Sequence, residues 1–173
     1  MSASQDFVPL GIALLTVSDT RSAADDTSGD YLAGALADAG HRLVERARLP
    51  DDRYQLRATV SRWIAEPSVD GILVTGGTGF TGRDSTPEAL APLLDKQMPG
   101  FGEMFRVLSF EDIGTSTLQS RAFAGLANAT FVFCVPGSTS ACRTAWEKLI
   151  RAQLDGRTRP CNLAGLRPRL RES

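Results

Sequence analysis

Short apolar runs alternate along this chain with stripes of apolar residues at helical spacing. Residues 10–17 are apolar and nearly continuous, bounded by Pro9 and by Ser18-Asp19. A short unbroken apolar run reads as a strand buried on both faces, the signature of a parallel sheet. Tyr31, Leu32, Ala35, Leu36 and Ala39 then recur at helical spacing behind the candidate caps Asp26, Thr27 and Ser28, and Gly40 ends that helix. Residues 42–48 form a modest strand candidate. Pro50, Asp51 and Asp52 open a helix carrying Leu56, Val60, Trp63 and Ile64, stopped by Pro67. Residues 71–75 read as a short strand, followed by a glycine-rich turn over 76–82.

The second half continues the alternation. Pro87 suits the first position of a helix that carries Leu90, Leu93 and Leu94. Residues 100–110 predict a helix with Phe101, Met104, Phe105 and Leu108 on one face, and 115–126 a weaker one. Residues 130–135 predict a strand, 136–139 a turn and 140–154 a helix. Beyond Asp155 the chain is rich in Arg and Pro and is expected to be extended. Strands alternating with helices predict an α/β fold with a mainly parallel sheet. No repeat or linker divides the chain. One domain over residues 10–155 is expected, with an N-terminal extension at 1–9 and an Arg/Pro-rich arm at 156–173.

Composition removes whole classes of function. The chain has 173 residues, 42% hydrophobic and 23% charged, ordinary for a globular protein. With 19 basic and 20 acidic residues the net charge is −1, which argues against a nucleic-acid binder that must neutralise phosphates. Charge near zero leaves self-association open. No apolar run approaches the roughly 20 residues that span a bilayer, so no membrane is expected. The N-terminus lacks the pattern of a signal peptide, and the cytoplasm is the expected compartment. Cys134, Cys142 and Cys161 form no CxxC pair and His41 is the only histidine, which speaks against a zinc site or a disulfide framework. His41 follows Gly40 just past a helix and is expected at the surface. A Ser-His-Asp or Cys-His site would need it as its base. Asn128-Ala129-Thr130 matches a glycosylation sequon, which without secretion carries no meaning.

In an open parallel sheet, ligands bind outside the carboxyl ends of the strands. Three such ends carry small or polar residues: Ser18-Asp19, the loop from Gly76 to Asp84, and Pro136-Gly137-Ser138-Thr139. Glycines let a backbone approach a ligand, and loop N–H groups ahead of a helix favour anions. A phosphate-bearing ligand is the expectation. Residues 77–82 match GxGxxG literally, but the loop follows the third strand, and the stretch about 20 residues on is helical, so a dinucleotide fold is disfavoured. Asp51 and Asp84 both fall at this edge. Beside phosphate they would serve a divalent cation such as Mg2+. The alternative is that they cap or start helices. Ser18-Asp19 and Ser138-Thr139 have the same alternative.

The residues resemble the MoaB/MogA family of molybdenum cofactor biosynthesis. The resemblance is carried by Leu15-Thr16-Val17-Ser18-Asp19-Thr20-Arg21, by Asp26-Thr27-Ser28-Gly29, by Thr75-Gly76-Gly77-Thr78-Gly79 with Arg83-Asp84 and Thr86-Pro87-Glu88, and by Pro99-Gly100-Phe101-Gly102-Glu103. It continues through Gly114-Thr115-Ser116-Thr117-Leu118-Gln119-Ser120-Arg121-Ala122, Val135-Pro136-Gly137-Ser138 and Thr158-Arg159-Pro160-Cys161-Asn162. The stretch from Leu108 to Ala122 and the Arg-rich ending point to the MoaB branch. The resemblance implies a three-layer α/β/α, Rossmann-like, molybdopterin-binding fold. It implies a homo-oligomer, a trimer or a hexamer formed as a dimer of trimers, in contact with other enzymes of the same pathway. It also implies adenylyl transfer from Mg-ATP, or the GTP analogue of it, to the terminal phosphate of molybdopterin. By motif, Asp51 and Asp84 would be the catalytic and Mg2+-binding pair. Ser18, Asp19, Gly76, Gly77, Thr78, Gly79, Arg83, Thr86, Glu88, Pro136, Gly137 and Ser138 would bind substrate and nucleotide, and Arg83 either offsets transition-state charge or is an exposed loop arginine. The MoaB branch includes members that bind pterin or nucleotide without effective transfer.

Overall fold

The computed structural model describes residues 6–20 and 23–172. Strand β1 (Gly11–Val17) is buried at all seven positions, as an unbroken apolar run requires. It pairs in parallel with β2 (Arg42–Leu49) on one side and β3 (Gly71–Thr75) on the other. Strand β6 (Thr130–Val135) runs parallel to β3, while β5 (Phe123–Ala127) and β4 (Lys96–Gln97) add an antiparallel edge. The sheet order is β2-β1-β3-β6-β5-β4. The opposite edge, β2, carries Arg42, Glu45, Arg46 and Arg48, and such charges discourage pairing with another sheet.

Alternate residues of the strands feed two cores. On one face Ile12, Leu14, Phe131 and Phe133 pack with Leu32 and Leu36 of α1 (Thr27–Asp38), Phe101 and Phe105 of α4 (Pro99–Ile113), and Cys142 and Ala145 of α5 (Thr139–Ala145). On the other face Ala13, Leu15, Ile72 and Val132 pack with Leu56, Val60 and Trp63 of α2 (Arg53–Ala65) and Leu90 of α3 (Thr86–Leu90). The result is three layers, α/β/α. Helix α1 joins β1 to β2 across one face, and α2 joins β2 to β3 across the other. The winding therefore reverses between β1 and β3, the point at which open α/β sheets leave a crevice beyond the strand ends.

Local chemistry sets the helix starts. Asp52 caps α2, accepting from the backbone N–H groups of Tyr54 and Gln55. Asp26 caps α1 by accepting from Gly29 N, and its other oxygen accepts from Thr16 Oγ1 and Arg46, each at 2.8 Å. Burial pushes the Asp26 carboxyl up, but these donors outweigh it and hold the group below its ordinary value. Gly40 takes φ +88° after α1, a conformation that glycine adopts without strain.

Three expectations are corrected. Residues 115–126 are not a helix. Gly114–Gln119 is a 3-10 turn, and the chain then enters β5. The hairpin from β5 to β6 turns on Asn128 and Ala129, with φ of +46° and +64°. This turn has no glycine, so its usual sequence signal is missing. Strand β4 was not foreseen at all, being two residues long. The tail beyond Asp155 folds back instead of extending. Ala164–Arg169 forms a 3-10 turn, Leu163 and Leu170 pack on the first core, and Arg167 pairs with Asp70. His41 is buried, not on the surface.

The Nδ1 atom of His41 accepts a hydrogen bond from Leu10 N at 3.2 Å, and its ring lies 5.2 Å from Phe7 and 6.4 Å, edge-on, from Trp146. Burial pushes the imidazole below its ordinary value, against the opposing pull of Asp155 and Asp70. The unfolded chain therefore binds more protons than the folded one just below the ordinary histidine value, and stability falls there as pH falls. The melting temperature is expected to drop as pH falls through the ordinary histidine range, with the contribution fully present above that range. His41→Asn, which keeps an acceptor but does not titrate, should flatten that dependence in thermal melts. An unchanged slope would remove His41 as its source.

Candidate functional site

A cavity of about 440 Å³ opens at the carboxyl ends of β1, β3 and β6, within the size range of small-ligand sites. Thr16, Val17 and Ser18 form one wall. The loop Thr75-Gly76-Gly77-Thr78-Gly79 forms the floor, and Pro136-Gly137-Ser138 closes the far side. Helices α1 and α5 start side by side at its rim. Thr27 Oγ1 lies 3.0 Å from Thr139 Oγ1, and Ser28 Oγ donates to Gly137 O at 3.1 Å. Their first turns face the space where an anion would be favoured.

The glycine loop needs its glycines. Gly76 has φ +104°, and a Cβ there would collide with the Val17 carbonyl. Gly77 has φ +67°, and a Cβ would lie 2.6 Å from Asp51 Oδ2 and overlap Thr86 Oγ1. Gly137 packs its own Cα region against Gly76, a Cβ falling 3.3 Å from Gly76 Cα.

Nine residues of the expected site line the cavity: Ser18, Gly76, Gly77, Thr78, Gly79, Asp84, Pro136, Gly137 and Ser138. Five do not: Asp19, Asp51, Arg83, Thr86 and Glu88. Thr86 Oγ1 donates to Gly76 O at 2.8 Å, and Glu88 forms an ion pair with Arg121. Asp19 accepts a forked pair from Arg83, at 3.0 and 2.7 Å, and also accepts from Asp51 N at 3.0 Å. The Arg83 hydrogen bond first, then that of Asp51 N, hold the Asp19 carboxyl below its ordinary value. Arg83 is therefore committed to an exposed ion pair outside the cavity. Ser138 also caps α5, accepting from Ala141 N at 3.2 Å.

The two aspartates fasten the loop from different sides. Asp51 lies behind Gly77 and accepts from Ser85 through both its N–H and its hydroxyl. Asp84 stands in the cavity wall and accepts from Thr81 N at 2.8 Å and Thr81 Oγ1 at 2.6 Å. Burial would raise the Asp84 carboxyl, but the Thr81 and Gly79 donors and the Arg121 charge outweigh it, so it stays ionised well into acid. Among the described lining residues Asp84 is the only charged one. One carboxylate facing a phosphate-sized space suits Mg2+, which takes one or two carboxylates and fills its shell with phosphate and water. No group of three or more His, Cys, Asp or Glu that could hold a metal occurs among the described residues.

The sequence reading missed a wall. Phe105, Ser109 and Ile113 of α4, with Ser116, Gln119 and Ser120 after it, close the cavity opposite β1. The hydroxyl-rich, aperiodic run from Thr115 to Ser120 is the signal for this wall in the sequence. Arg21 of the resembling motif lies outside the described residues.

Residues 13–156 match a family described as "Probable molybdopterin binding domain". Molybdenum cofactor biosynthesis protein B of Escherichia coli K12 is 59% identical over 159 residues, covering 92% of this chain and 94% of that protein. A crystal structure of a molybdenum cofactor biosynthesis protein B superposes with TM-score 0.85 at 36% identity, covering 99% of this chain and 100% of that one. The tungsten cofactor synthesizing protein MoaB of Pyrococcus furiosus superposes with TM-score 0.73 at 34% identity, over 82% of this chain and 90% of that one.

The loop geometry makes a stability contrast. Gly77→Ala places a side chain at φ +67° against Asp51 and Thr86 and should cost about 2 kcal/mol or more. Gly82→Ala, with nothing within 4 Å of the added Cβ, should stay within about 0.5 kcal/mol of the parent. Urea unfolding of both variants checks this, and equal losses would contradict the close approach at Gly77.

Proposed function

Because the chain belongs to the molybdenum cofactor biosynthesis protein B family and so to molybdenum cofactor biosynthesis, we propose that its cavity binds molybdopterin and transfers an adenylyl group to it from ATP. The observation that carries this reading is the placement of a glycine loop, two helix starts and one carboxylate around a cavity at the β1/β3 reversal. In the proposed step an oxygen of the terminal phosphate of molybdopterin attacks the α-phosphorus of ATP. A new P–O–P bond forms, and the bond to the bridging oxygen breaks, releasing pyrophosphate. The nucleophile is already an anion, so no strong base is needed and the lack of a histidine in the cavity is no handicap. The work is positioning and charge balance.

The residues divide that work. Backbone N–H groups of the glycine loop and of the first turns of α1 and α5 hold phosphate oxygens. Hydroxyls of Ser18, Thr78 and Ser138 orient them. A Mg2+ ion would be held by Asp84, with Asp51 behind Gly77, and when bound would neutralise phosphate charge. GTP in place of ATP would meet the same phosphate contacts.

One observation favours a second reading, a protein that binds the pterin or nucleotide with little transfer. The described cavity wall holds no lysine or arginine, and Arg83 is occupied by Asp19. Among the described residues, the positive charge offered to the reacting phosphates is then that of backbone N–H groups. Incubation with molybdopterin, Mg2+ and ATP separates the two readings. Adenylyl-molybdopterin and pyrophosphate are expected, and Asp84→Asn should lower product formation about 100-fold or more while pterin is still retained. Pterin binding by the parent chain without adenylylated product would establish the second reading.

We further propose that the chain assembles as a homo-oligomer, a trimer or hexamer. Met104, Val107, Phe110 and Ile113 leave the outer face of α4 apolar and exposed, and Leu118 extends it. Such a continuous patch marks a surface for a partner, and a net charge of −1 offers little repulsion between copies. Light scattering at micromolar protein should give a multiple of the single-chain mass, and Phe110→Glu should shift it toward one chain. A monomer in the parent would refute the assembly.

A further inference from the structure

In the glycine loop the N–H groups of Gly76, Gly79, Thr81 and Asp84 donate within the chain, whereas those of Gly77 and Thr78, in the cavity floor, have no partner among the described residues. The carbonyls of Gly76, Gly77, Thr78, Gly79, Thr81 and Asp84 all accept hydrogen bonds from within the chain. Thr86 takes the first two, through its hydroxyl and its N–H. Asp84 N takes Thr81 O at 3.1 Å. The other three go to one residue, Arg121, 37 to 43 positions away in sequence. Its N–H donates to Thr78 O at 3.0 Å, its Nε to Gly79 O at 2.7 Å and its Nη2 to Asp84 O at 2.6 Å. Glu88 holds the remaining nitrogen, Nη1, and the guanidinium lies 5.4 Å from the Phe80 ring centroid. Arg121 does not line the ligand cavity but a separate groove beside β5.

A carbonyl oxygen facing a phosphate repels it, whereas an N–H group attracts it. A planar guanidinium can fork across several oxygens at fixed angles, which an ammonium cannot. We propose that Arg121 is a positioning residue that locks the glycine loop with its carbonyls drawn toward its own side, so that the loop presents N–H groups to an anionic ligand. Glu88 orients the guanidinium and does not touch the ligand. The proposal rests on the phosphate-ligand reading of the cavity, but its structural half can be tested without any ligand.

Two measurements on the full chain decide it, with Arg121→Gln, Arg121→Lys and Glu88→Gln. In amide hydrogen exchange, residues 78–85 should exchange about tenfold faster in both Arg121 variants, with β1, β3 and β6 unchanged. Glu88→Gln, which leaves the three carbonyl bonds in place, should give a smaller rise and guards against loss of fold in the others. In anaerobic fluorescence titration, molybdopterin should bind about tenfold more weakly to both Arg121 variants. Loop exchange equal to the parent, full rescue of exchange and affinity by lysine, or a loosened loop with unchanged affinity would each overturn the proposal. Failure of the parent chain to bind molybdopterin would overturn the functional reading instead, and the exchange result would still decide the placement of the loop.

Discussion

The ends of β1, β3 and β6 meet at the backbone of Gly76, and the site depends on that approach. Gly76 N donates to Val135 O at 3.0 Å, its Cα faces Gly137, and its missing side chain makes room for the Val17 carbonyl. Any Cβ there would push β1 and β3 apart at the point where the winding reverses. The same compression forces Gly77 into positive φ and brings it against Asp51 and Thr86. The cavity is thus a consequence of three strand ends closing on one residue.

Charge is kept at the rim of this cavity and away from its floor. Arg83 is tied to Asp19, Arg121 to Glu88 and Arg46 to Asp26 and Asp30. Most of these pairs are partly exposed, and isolated pairs of that kind contribute little stability. Their effect is geometric. Each spans two elements: Arg46 joins β2 to α1, Arg83 joins the glycine loop to the end of β1, and Arg121 joins the entry of β5 to α3. The paired carboxylates are committed to shape, and among the described residues Asp84 alone faces the ligand space with a negative charge.

Asp51 and Asp84 illustrate why capping and catalysis are not exclusive. Asp84 accepts from Thr81 within its own loop, and Asp51 from Ser85 at the start of α3. Both therefore have structural partners, as a reading of them as helix-start residues expects. Asp84 is nevertheless held in the cavity wall, while Asp51 stands behind the loop and braces Gly77. A carboxylate with a fixed local donor loses less freedom on meeting a ligand than one that must be ordered first.

The sequence alone determined the α/β alternation, the parallel strands and the three polar strand ends. A short unbroken apolar run needs burial on both faces, which a sheet covered by helices on each side supplies, and the glycines and hydroxyls that follow it mark the strand ends. It also determined the family, through the order and spacing of many short motifs. Only the tertiary structure decided which of those residues share one wall. Asp19, Asp51, Arg83, Thr86 and Glu88 sit within matching motifs yet point to neighbours outside the cavity, because side-chain direction is set by partners distant in sequence. The burial of His41, the strand made from residues 123–127, the returning tail and the role of Arg121 all rest on such long-range contacts. None leaves a local periodicity or turn signal, so pattern along the chain could not reveal them.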